Sequence, residues 1–130
     1  MTQLLFVTTD KTNLADLSAV IETRGGTIIW ATSGGEALER IGKTAVDLVL
    51  ADEILADMTG LELIKRLVTV NPMINCAAVS SLSKEAYHEA SEGLGILMQL
   101  PPQPARADGE RMMAHLNQII GLSSPKKLKK

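Results

Sequence analysis

The sequence predicts an α/β domain of the doubly wound type, built on a five-stranded parallel sheet. Five short apolar runs alternate with segments whose apolar residues recur at helical spacing, as strands and helices do in such folds. The third run, Asp47 to Ala51, is almost entirely apolar, which is typical of strands covered by helices on both faces. With 130 residues, 45% of them hydrophobic, the chain is long enough for one domain with a real core.

A change in apolar spacing marks the first strand and the first helix. Leu4 to Val7 is a continuous apolar run, and a helical face follows Asp10. That face carries Leu14, Leu17 and Ile21. Gly25-Gly26 is expected to end the helix, because glycine commonly follows a last helical turn. Thr27 to Ala31 is the second predicted strand.

The next helix and strand lead to an acidic loop. Ser33 followed by Glu36 fits a capping box that opens a short helix through Ile41. The third strand then ends at the carboxylate of Asp52. After the loop, apolar residues line one face of a third helix. They are Leu61, Ile64 and Val68. Asn71-Pro72 makes a continued helix improbable.

The fourth helix is expected to be the least firmly anchored. It follows a strand from Ile74 to Val79, and Ser83 can cap it, with an end near Glu92. Most of its residues are polar, so its apolar stripe is thin. The stripe consists of Ala86, Tyr87 and Ala90.

The fifth strand, Gly95 to Leu100, is followed by prolines that form a stiff connection. The last helix carries its apolar face on Met112, Leu116 and Ile119. We expect it to stop at Gly121. One domain over residues 1–122 and a lysine-rich flexible tail over residues 123–130 are therefore predicted.

The charge distribution argues against nucleic acid as a partner. The net charge is −2, but four of the 13 basic residues lie in the tail, so nine basic residues face 15 acidic ones in the body. Such a domain offers no basic surface for the phosphate backbone of a nucleic acid and few aromatic side chains on which bases could stack. No apolar run approaches the roughly 20 residues that span a bilayer, and the amino terminus lacks a signal-peptide pattern. We therefore expect a cytoplasmic protein that binds neither nucleic acid nor membrane.

The predicted topology brings polar residues to the carboxyl-terminal edge of the sheet, where open α/β sheets have their ligand crevice. They are Thr8, Thr9, Asp10, Asp52, Ser80 and Ser81, next to Leu100 and Pro101. A carboxylate facing a hydroxyl could accept a phosphoryl group, because aspartate is a known nucleophile in phosphoryl transfer. The alternative is an aspartate that merely ends a strand.

Several short segments resemble the sequence pattern of one family, and the chain can be aligned with that pattern without a gap. They are Asp47-Leu48-Val49-Leu50-Ala51-Asp52 with Met58-Thr59-Gly60-Leu61-Glu62-Leu63, then Thr32-Ser33-Gly34-Gly35-Glu36-Ala37-Leu38, and Glu92-Gly93. The chain resembles the receiver domain of bacterial two-component response regulators from about Leu4 to Pro104. The resemblance implies the flavodoxin-like receiver fold.

The resemblance also implies site residues. Asp52 matches the phosphoacceptor, and Ser80 matches the hydroxyl residue that meets the phosphoryl group. The acidic pair that holds magnesium in the family falls on Thr8 and Thr9, and only the acidic position after it is kept, as Asp10.

Further departures concern the family's cation and switch. The family lysine that pairs with the phosphoryl oxygens falls on Leu100, although Pro101 after it is kept. The loop proline is Ala56, and the aromatic switch position is Leu97. Phosphoryl transfer depends on positioning and charge neutralisation. We therefore expect magnesium-dependent phosphorylation to be impaired or absent, with Asp10 and Asp52 as weak magnesium candidates.

The resemblance implies a receiver module of two-component phosphorelay signalling that acts through protein contacts and is not an enzyme. The implied partner is a histidine kinase or another signalling protein, and a homodimer through the fourth helix, fifth strand and fifth helix is a further candidate. The alternative on the same fold is a phosphorylation-independent scaffold or dimerisation module.

Other candidate sites are weaker. Cys76 lies within an apolar run, which favours a buried, inert thiol. Together with His88 and His115 it is too small a ligand set for zinc. The loop after the first strand has no glycine, which argues against flavin and P-loop sites. A hydrolase would need a second acid, base or nucleophile in a suitable arrangement, and the pattern offers none.

Overall fold

The structure is a computed structural model that describes residues 2–123, with side chains through residue 119. Five strands alternate with five α-helices over this range. The strands are β1 (Gln3–Val7), β2 (Thr27–Ala31), β3 (Leu48–Ala51), β4 (Cys76–Val79) and β5 (Met98–Leu100). The helices are α1 (Ala15–Thr23), α2 (Gly34–Lys43), α3 (Gly60–Val70), α4 (Lys84–Ser91) and α5 (Arg106–Ser123), and a short 3-10 helix (Lys11–Leu14) precedes α1.

The strands form one parallel sheet in the order β2-β1-β3-β4-β5, which confirms the doubly wound α/β prediction. The register pairs Val7 with Ala51 and Ala51 with Ala78. The residues that follow β1, β3 and β4 therefore lie side by side at the carboxyl-terminal edge of the sheet.

Alternate side chains of each strand point to opposite faces of the sheet, and each face has its own apolar layer. The layer against α1 and α5 includes Leu4, Phe6, Leu17, Leu48, Leu50 and Met112. The layer against α2, α3 and α4 includes Leu5, Val7, Ala37, Val49, Ile64 and Tyr87. Burial on both faces explains why β1 and β3 read as continuous apolar runs rather than as alternating ones.

The helix ends were predicted with mixed success. Gly25 adopts a φ of 82° after α1, and the Gly26 N–H donates to the Ile21 carbonyl at 2.9 Å, so the predicted glycine stop is a Schellman motif. The predicted capping box of α2 is only half formed. Ser33 accepts from the Glu36 N–H at 3.1 Å, but the Glu36 carboxylate accepts from the Thr32 N–H instead.

Three other boundaries differ from the prediction. β4 begins at Cys76 rather than Ile74, and β5 begins at Met98 rather than Gly95. Gly95 lies in the left-handed region with a φ of 65°, so it belongs to the turn before the strand. α5 continues past Gly121 to Ser123, because a glycine with ordinary helical φ only costs about 1 kcal/mol in a helix. Residues 124–130 of the predicted tail lie outside the described residues.

α4 is held by fewer buried side chains than expected. Tyr87 is its one buried residue, whereas Ala86 is half-buried and Ala90 is exposed. Within residues 2–123, no helix combines the length and the hydropathy that a bilayer crossing requires.

Tyr87→Phe is expected to stabilise the domain. The Tyr87 hydroxyl is buried without a hydrogen-bond partner among the described residues, and burial raises the pKa of Tyr87 to about 12. Because an unpaired buried polar group costs roughly 1–3 kcal/mol, its removal should raise the free energy of unfolding by about 1 kcal/mol in a urea titration. A loss of stability would mean that the hydroxyl is hydrogen-bonded in solution.

Candidate functional site

Asp52 lies directly after β3, and its side chain is surrounded by neutral donors. Its N–H continues the sheet ladder to the Val7 carbonyl at 2.9 Å, and the residue is only 8% exposed. Its carboxylate Oδ2 accepts from the Thr8 hydroxyl at 2.7 Å and from the Asn13 amide at 3.1 Å. Its Oδ1 accepts from the Glu53 N–H at 2.8 Å. We call Thr8, Asn13, Asp52 and the Glu53 N–H the Asp52 cluster.

Thr8 directly follows β1, lies beside Asp52 and is almost fully buried. Its single hydroxyl hydrogen is best used toward the charged carboxylate, because charge-assisted hydrogen bonds are shorter and stronger. The Asp10 N–H donates in turn to the Thr8 Oγ1 at 3.2 Å, which keeps the hydroxyl aimed at Asp52. Thr9, which with Thr8 occupies the positions of the family's acidic pair, is exposed.

Asn13 was missed in the sequence analysis. It lies in the short 3-10 helix that leads into α1, half-buried, and supplies an amide donor to Asp52 from 39 residues earlier in the chain. Its place in the first helical turn after a loop at the sheet edge was the available signal, since helix entries there face the strand ends.

The carboxylate of Asp10 caps the short 3-10 helix that follows it in the chain. Its Oδ1 accepts from the Thr12 hydroxyl at 2.6 Å and from the Thr12 N–H at 3.0 Å, and so caps the 3-10 helix. These bonds, the hydroxyl bond first, hold the pKa of Asp10 below its ordinary value. Asp10 is therefore a structural cap, and its role as a magnesium ligand stays a prediction.

Ser80 follows β4, on the strand next to Asp52, as predicted. It is 4% exposed, and its Oγ accepts from the Leu82 N–H at 3.1 Å. The neighbouring Ser81 donates through its hydroxyl to the Glu53 carboxylate at 2.8 Å and through its N–H at 3.0 Å. The loop after β3 is thus joined to the loop after β4. The role of Ser80 toward a phosphoryl group stays a prediction.

Leu100, the last residue of β5, contributes only apolar surface at this edge, whereas Leu97 precedes β5 at its other end. Leu100 is 0% exposed and packs in the layer of α1 and α5, and Leu97 packs partly buried against the same layer. Lys11, a cation close in sequence to Thr8, lies over the Trp30 ring with its Nζ 5.0 Å from the centroid. The donors described around Asp52 are therefore uncharged.

Asp57 fastens the acidic loop to α2. Its carboxylate accepts from the Gly34 N–H at 2.7 Å and from the Gly35 N–H at 3.0 Å, at the positive end of the α2 dipole. These bonds, the one from Gly34 first, lower the pKa of Asp57. The loop that follows Asp52 is consequently held on one side by α2 and on the other by Ser81.

The side chains at this edge do not fit a conventional magnesium site. Magnesium prefers ionised oxygen ligands and several waters, but Thr8 spends its hydroxyl hydrogen on Asp52 and Asp10 caps a helix. Within the described residues, no group of three or more His, Cys, Asp or Glu residues is placed to hold a metal ion.

The thiol of Cys76 is buried, as the sequence analysis expected, and burial raises its pKa to about 12. A thiol with that pKa stays protonated at neutral pH and is unreactive. Cys76 is thus a core residue of β4.

Comparison with known proteins decides the family. The family model described as the response regulator receiver domain matches residues 4–101. The chain belongs to the response regulator receiver domains. Its similarity to a curated relative agrees: it is 31% identical over 120 residues to the transcriptional regulatory protein ZraR of Escherichia coli K12. That match covers 89% of this chain but 27% of the relative, so this receiver domain corresponds to about a quarter of the relative's length.

Solved structures of similar receiver domains confirm the fold. A CheY-like receiver domain protein from Methanospirillum hungatei superimposes with a TM-score of 0.78 at 23% identity, covering 91% of this chain and 95% of that one. The N-terminal domain of a protein from Wolinella succinogenes gives a TM-score of 0.81 at 20% identity, covering 95% and 100%. The receiver domain described here thus has the same fold as these solved structures.

Proposed function

We propose that this receiver domain is an atypical signalling module in which Asp52 is the candidate phosphoacceptor and magnesium-dependent phosphorylation is impaired or absent. It acts through protein–protein contacts, with a histidine kinase or another signalling protein as the partner. The observation that carries the proposal is the Asp52 cluster, where a hydroxyl, an amide and a backbone N–H satisfy the carboxylate.

Phosphoryl transfer to Asp52 would form a bond from a carboxylate oxygen to phosphorus while the bond from phosphorus to the donor breaks. The transferred oxygens carry negative charge, and catalysis consists largely of neutralising it. At this edge Leu100 offers no cation, and the described donors around Asp52 are neutral. The barrier is therefore expected to stay high.

The Asp52 cluster also restrains the nucleophile. Oδ2 accepts two hydrogen bonds and Oδ1 accepts one, out of about four lone-pair sites on a carboxylate. Attack through Oδ2 would require the Thr8 hydroxyl or the Asn13 amide to move away. Oδ1 accepts only one hydrogen bond and is therefore the more accessible oxygen for attack on phosphorus, but the bond from the Glu53 N–H makes it a weaker nucleophile.

The test is incubation of the full chain with acetyl phosphate and magnesium, followed by intact-mass measurement. We expect no stoichiometric phosphoryl adduct, because the neutralising groups are missing. Asp57→Asn serves as the matched control for Asp52→Asn, since both remove one carboxylate near the same loop. A stoichiometric, magnesium-dependent adduct that Asp57→Asn keeps and Asp52→Asn loses would contradict the proposal.

Partner binding distinguishes this proposal from a phosphorylation-independent scaffold. The scaffold alternative is favoured by the hydrogen bonds that the Asp52 carboxylate accepts from Thr8 and Asn13, because they satisfy the carboxylate without a bound ion. Binding that depends on Asp52 supports the signalling module. Binding that is unchanged by Asp52→Asn and by chelators supports the scaffold, including a homodimer through α4, β5 and α5.

A further inference from the structure

Lys11 carries a positive charge at the edge of the sheet where Asp52 lies. It is the first residue of the short 3-10 helix that follows β1. Its side chain is exposed, and it takes part in none of the ion pairs formed by the described residues. Its contact is instead with the Trp30 ring, whose centroid lies 5.0 Å from the ammonium Nζ. An exposed cation–π contact is weak, so the side chain can exchange it for a stronger partner.

The Lys11 ammonium lies on the face of the sheet toward which the Asp52 carboxylate points. Asp52 continues the β3 ladder two residues after Leu50, so the two side chains point to the same face. Leu50 belongs to the layer against α1 and α5, and Trp30 packs against that layer. Leu100, where the resemblance implies a lysine, belongs to it as well. Lys11 can therefore approach Asp52 from the same face as a lysine at position 100 would.

Short contacts place the backbone of Lys11 close to the carboxylate. The Asp10 carbonyl oxygen lies 3.1 Å from the Thr8 Oγ1, and that Oγ1 lies 2.7 Å from the Asp52 Oδ2. A Cα lies about 2.8 Å from the carbonyl oxygen of the residue before it, so the Lys11 Cα is at most about 9 Å from Oδ2. An extended lysine side chain spans about 6 Å from Cα to Nζ. The gap that remains is about the length of one hydrogen bond.

We propose that Lys11 leaves Trp30 and donates a hydrogen bond from its ammonium group to the phosphoryl oxygens when Asp52 is phosphorylated. Lys11 thereby supplies positive charge that Leu100 does not offer. The role of Lys11 rests on the proposed function, because it takes Asp52 as the acceptor. It makes phosphorylation impaired rather than absent.

Lys11 acts in this step only through its charge. In transfer from an acyl phosphate, an Asp52 carboxylate oxygen forms the bond to phosphorus while the bond from phosphorus to the acyl oxygen breaks. The donor leaves as a carboxylate with that electron pair, and Lys11 keeps its proton. Neutralising charge on the transferred oxygens is the main contribution of a protein to phosphoryl transfer. Because Lys11 is exposed and must first give up Trp30, the acceleration is small.

Two other exposed cations begin helices at the same edge and serve as comparisons. Lys84 is the first residue of α4, as Lys11 is of the 3-10 helix, but α4 packs against the opposite face of the sheet. Lys84 therefore matches Lys11 in charge and exposure but not in face. Arg106 is the first residue of α5, which packs against the same face as Lys11.

The test measures labelling of the full chain by radiolabelled acetyl phosphate in the presence of a chelator, which isolates the contribution of the protein's own cations. We expect the native chain to acquire label slowly and in substoichiometric amount, and Asp52→Asn to abolish it. K11Q should lower the initial rate about tenfold, because a hydrogen bond to a charged group is worth about that factor. K84Q and R106Q should leave the rate unchanged.

Trp30→Leu should change the rate in the opposite direction. Without the ring, the Lys11 ammonium is free more often, and the initial rate should rise about twofold to fivefold, the factor that an exposed cation–π contact controls. The double variant K11Q/W30L should be no faster than K11Q, because the gain acts through Lys11. A structural disturbance at Trp30 would not raise the rate.

Four outcomes would overturn the role of Lys11. They are labelling that K11Q leaves unchanged, no label in the native chain, a loss in K84Q or R106Q but not in K11Q, and a rate that W30L fails to raise or raises equally in the K11Q background. None of these outcomes affects the proposed function. That proposal fails instead if magnesium produces a stoichiometric adduct that Asp52→Asn loses.

Discussion

Leu100→Lys, at the position where the resemblance implies a lysine, is expected to lower the free energy of unfolding by at least about 3 kcal/mol. Leu100 is 0% exposed and packs against residues of α1 and α5, so an ammonium group at this position enters an apolar layer. Urea unfolding followed by circular dichroism measures the loss. Part of the stability should return as the pH approaches the ordinary lysine pKa of about 10.4, since a neutral amine is buried more easily.

Leu100→Met is the matched control, because it keeps an apolar side chain of similar volume and should cost less than about 1.5 kcal/mol. If Leu100→Lys is as stable as Leu100→Met, the lysine has turned toward the Asp52 cluster instead of the core. In that case the same variant should be tested for phosphorylation, since the introduced ammonium group would then lie near Asp52.

Gly60→Ala is expected to destabilise the domain by about 3 kcal/mol or more, at the upper end of what overpacking costs. A Cβ at Gly60 would lie 2.2 Å from the carbonyl oxygen of Asp52 and 3.2 Å from its carbonyl carbon. Both are backbone atoms at the end of β3, so the start of α3 or the strand end must move. Thermal unfolding measures the stability, and the amide shifts of Asp52 and Glu53 report the displacement.

Gly42→Ala provides the comparison, because nothing lies within 4 Å of the added Cβ in the last turns of α2. It should stabilise the domain by roughly 0.5–1 kcal/mol, since alanine is the better helix former. Equal effects of the two substitutions would mean that α3 can shift without disturbing the end of β3.

Most of the fold could be predicted because it depends on patterns that are local in sequence. A few consecutive residues are enough to predict the strands β1 and β3 and the glycine turn after α1. Predictions failed where local signals competed. The Glu36 carboxylate bonded to the Thr32 N–H rather than to the Ser33 N–H, and α5 continued through Gly121 to Ser123. The complete capping box, Thr59 with Glu62, was overlooked.

The candidate site was only partly predictable. The positions of Asp52 and Ser80 could be predicted because each directly follows an apolar strand, and the sheet order brings such positions together. The contact from Asn13 was not found, because it depends on how the 3-10 helix turns its side chain toward a residue 39 positions away. The capping role of Asp10 was missed for a similar reason: its oxygen had nearer donors in Thr12.

Glu53 connects Asp52 with the segment that leads into α4. Its backbone N–H holds Asp52, while its side chain holds Ser81, two residues before the cap of α4. We therefore expect a protein that displaces α4 to alter the hydrogen bond between the Glu53 N–H and the Asp52 carboxylate. If binding of a protein to α4 changes the affinity of the Asp52 carboxylate for a bound group, linkage requires that this group change the affinity for the protein by the same factor.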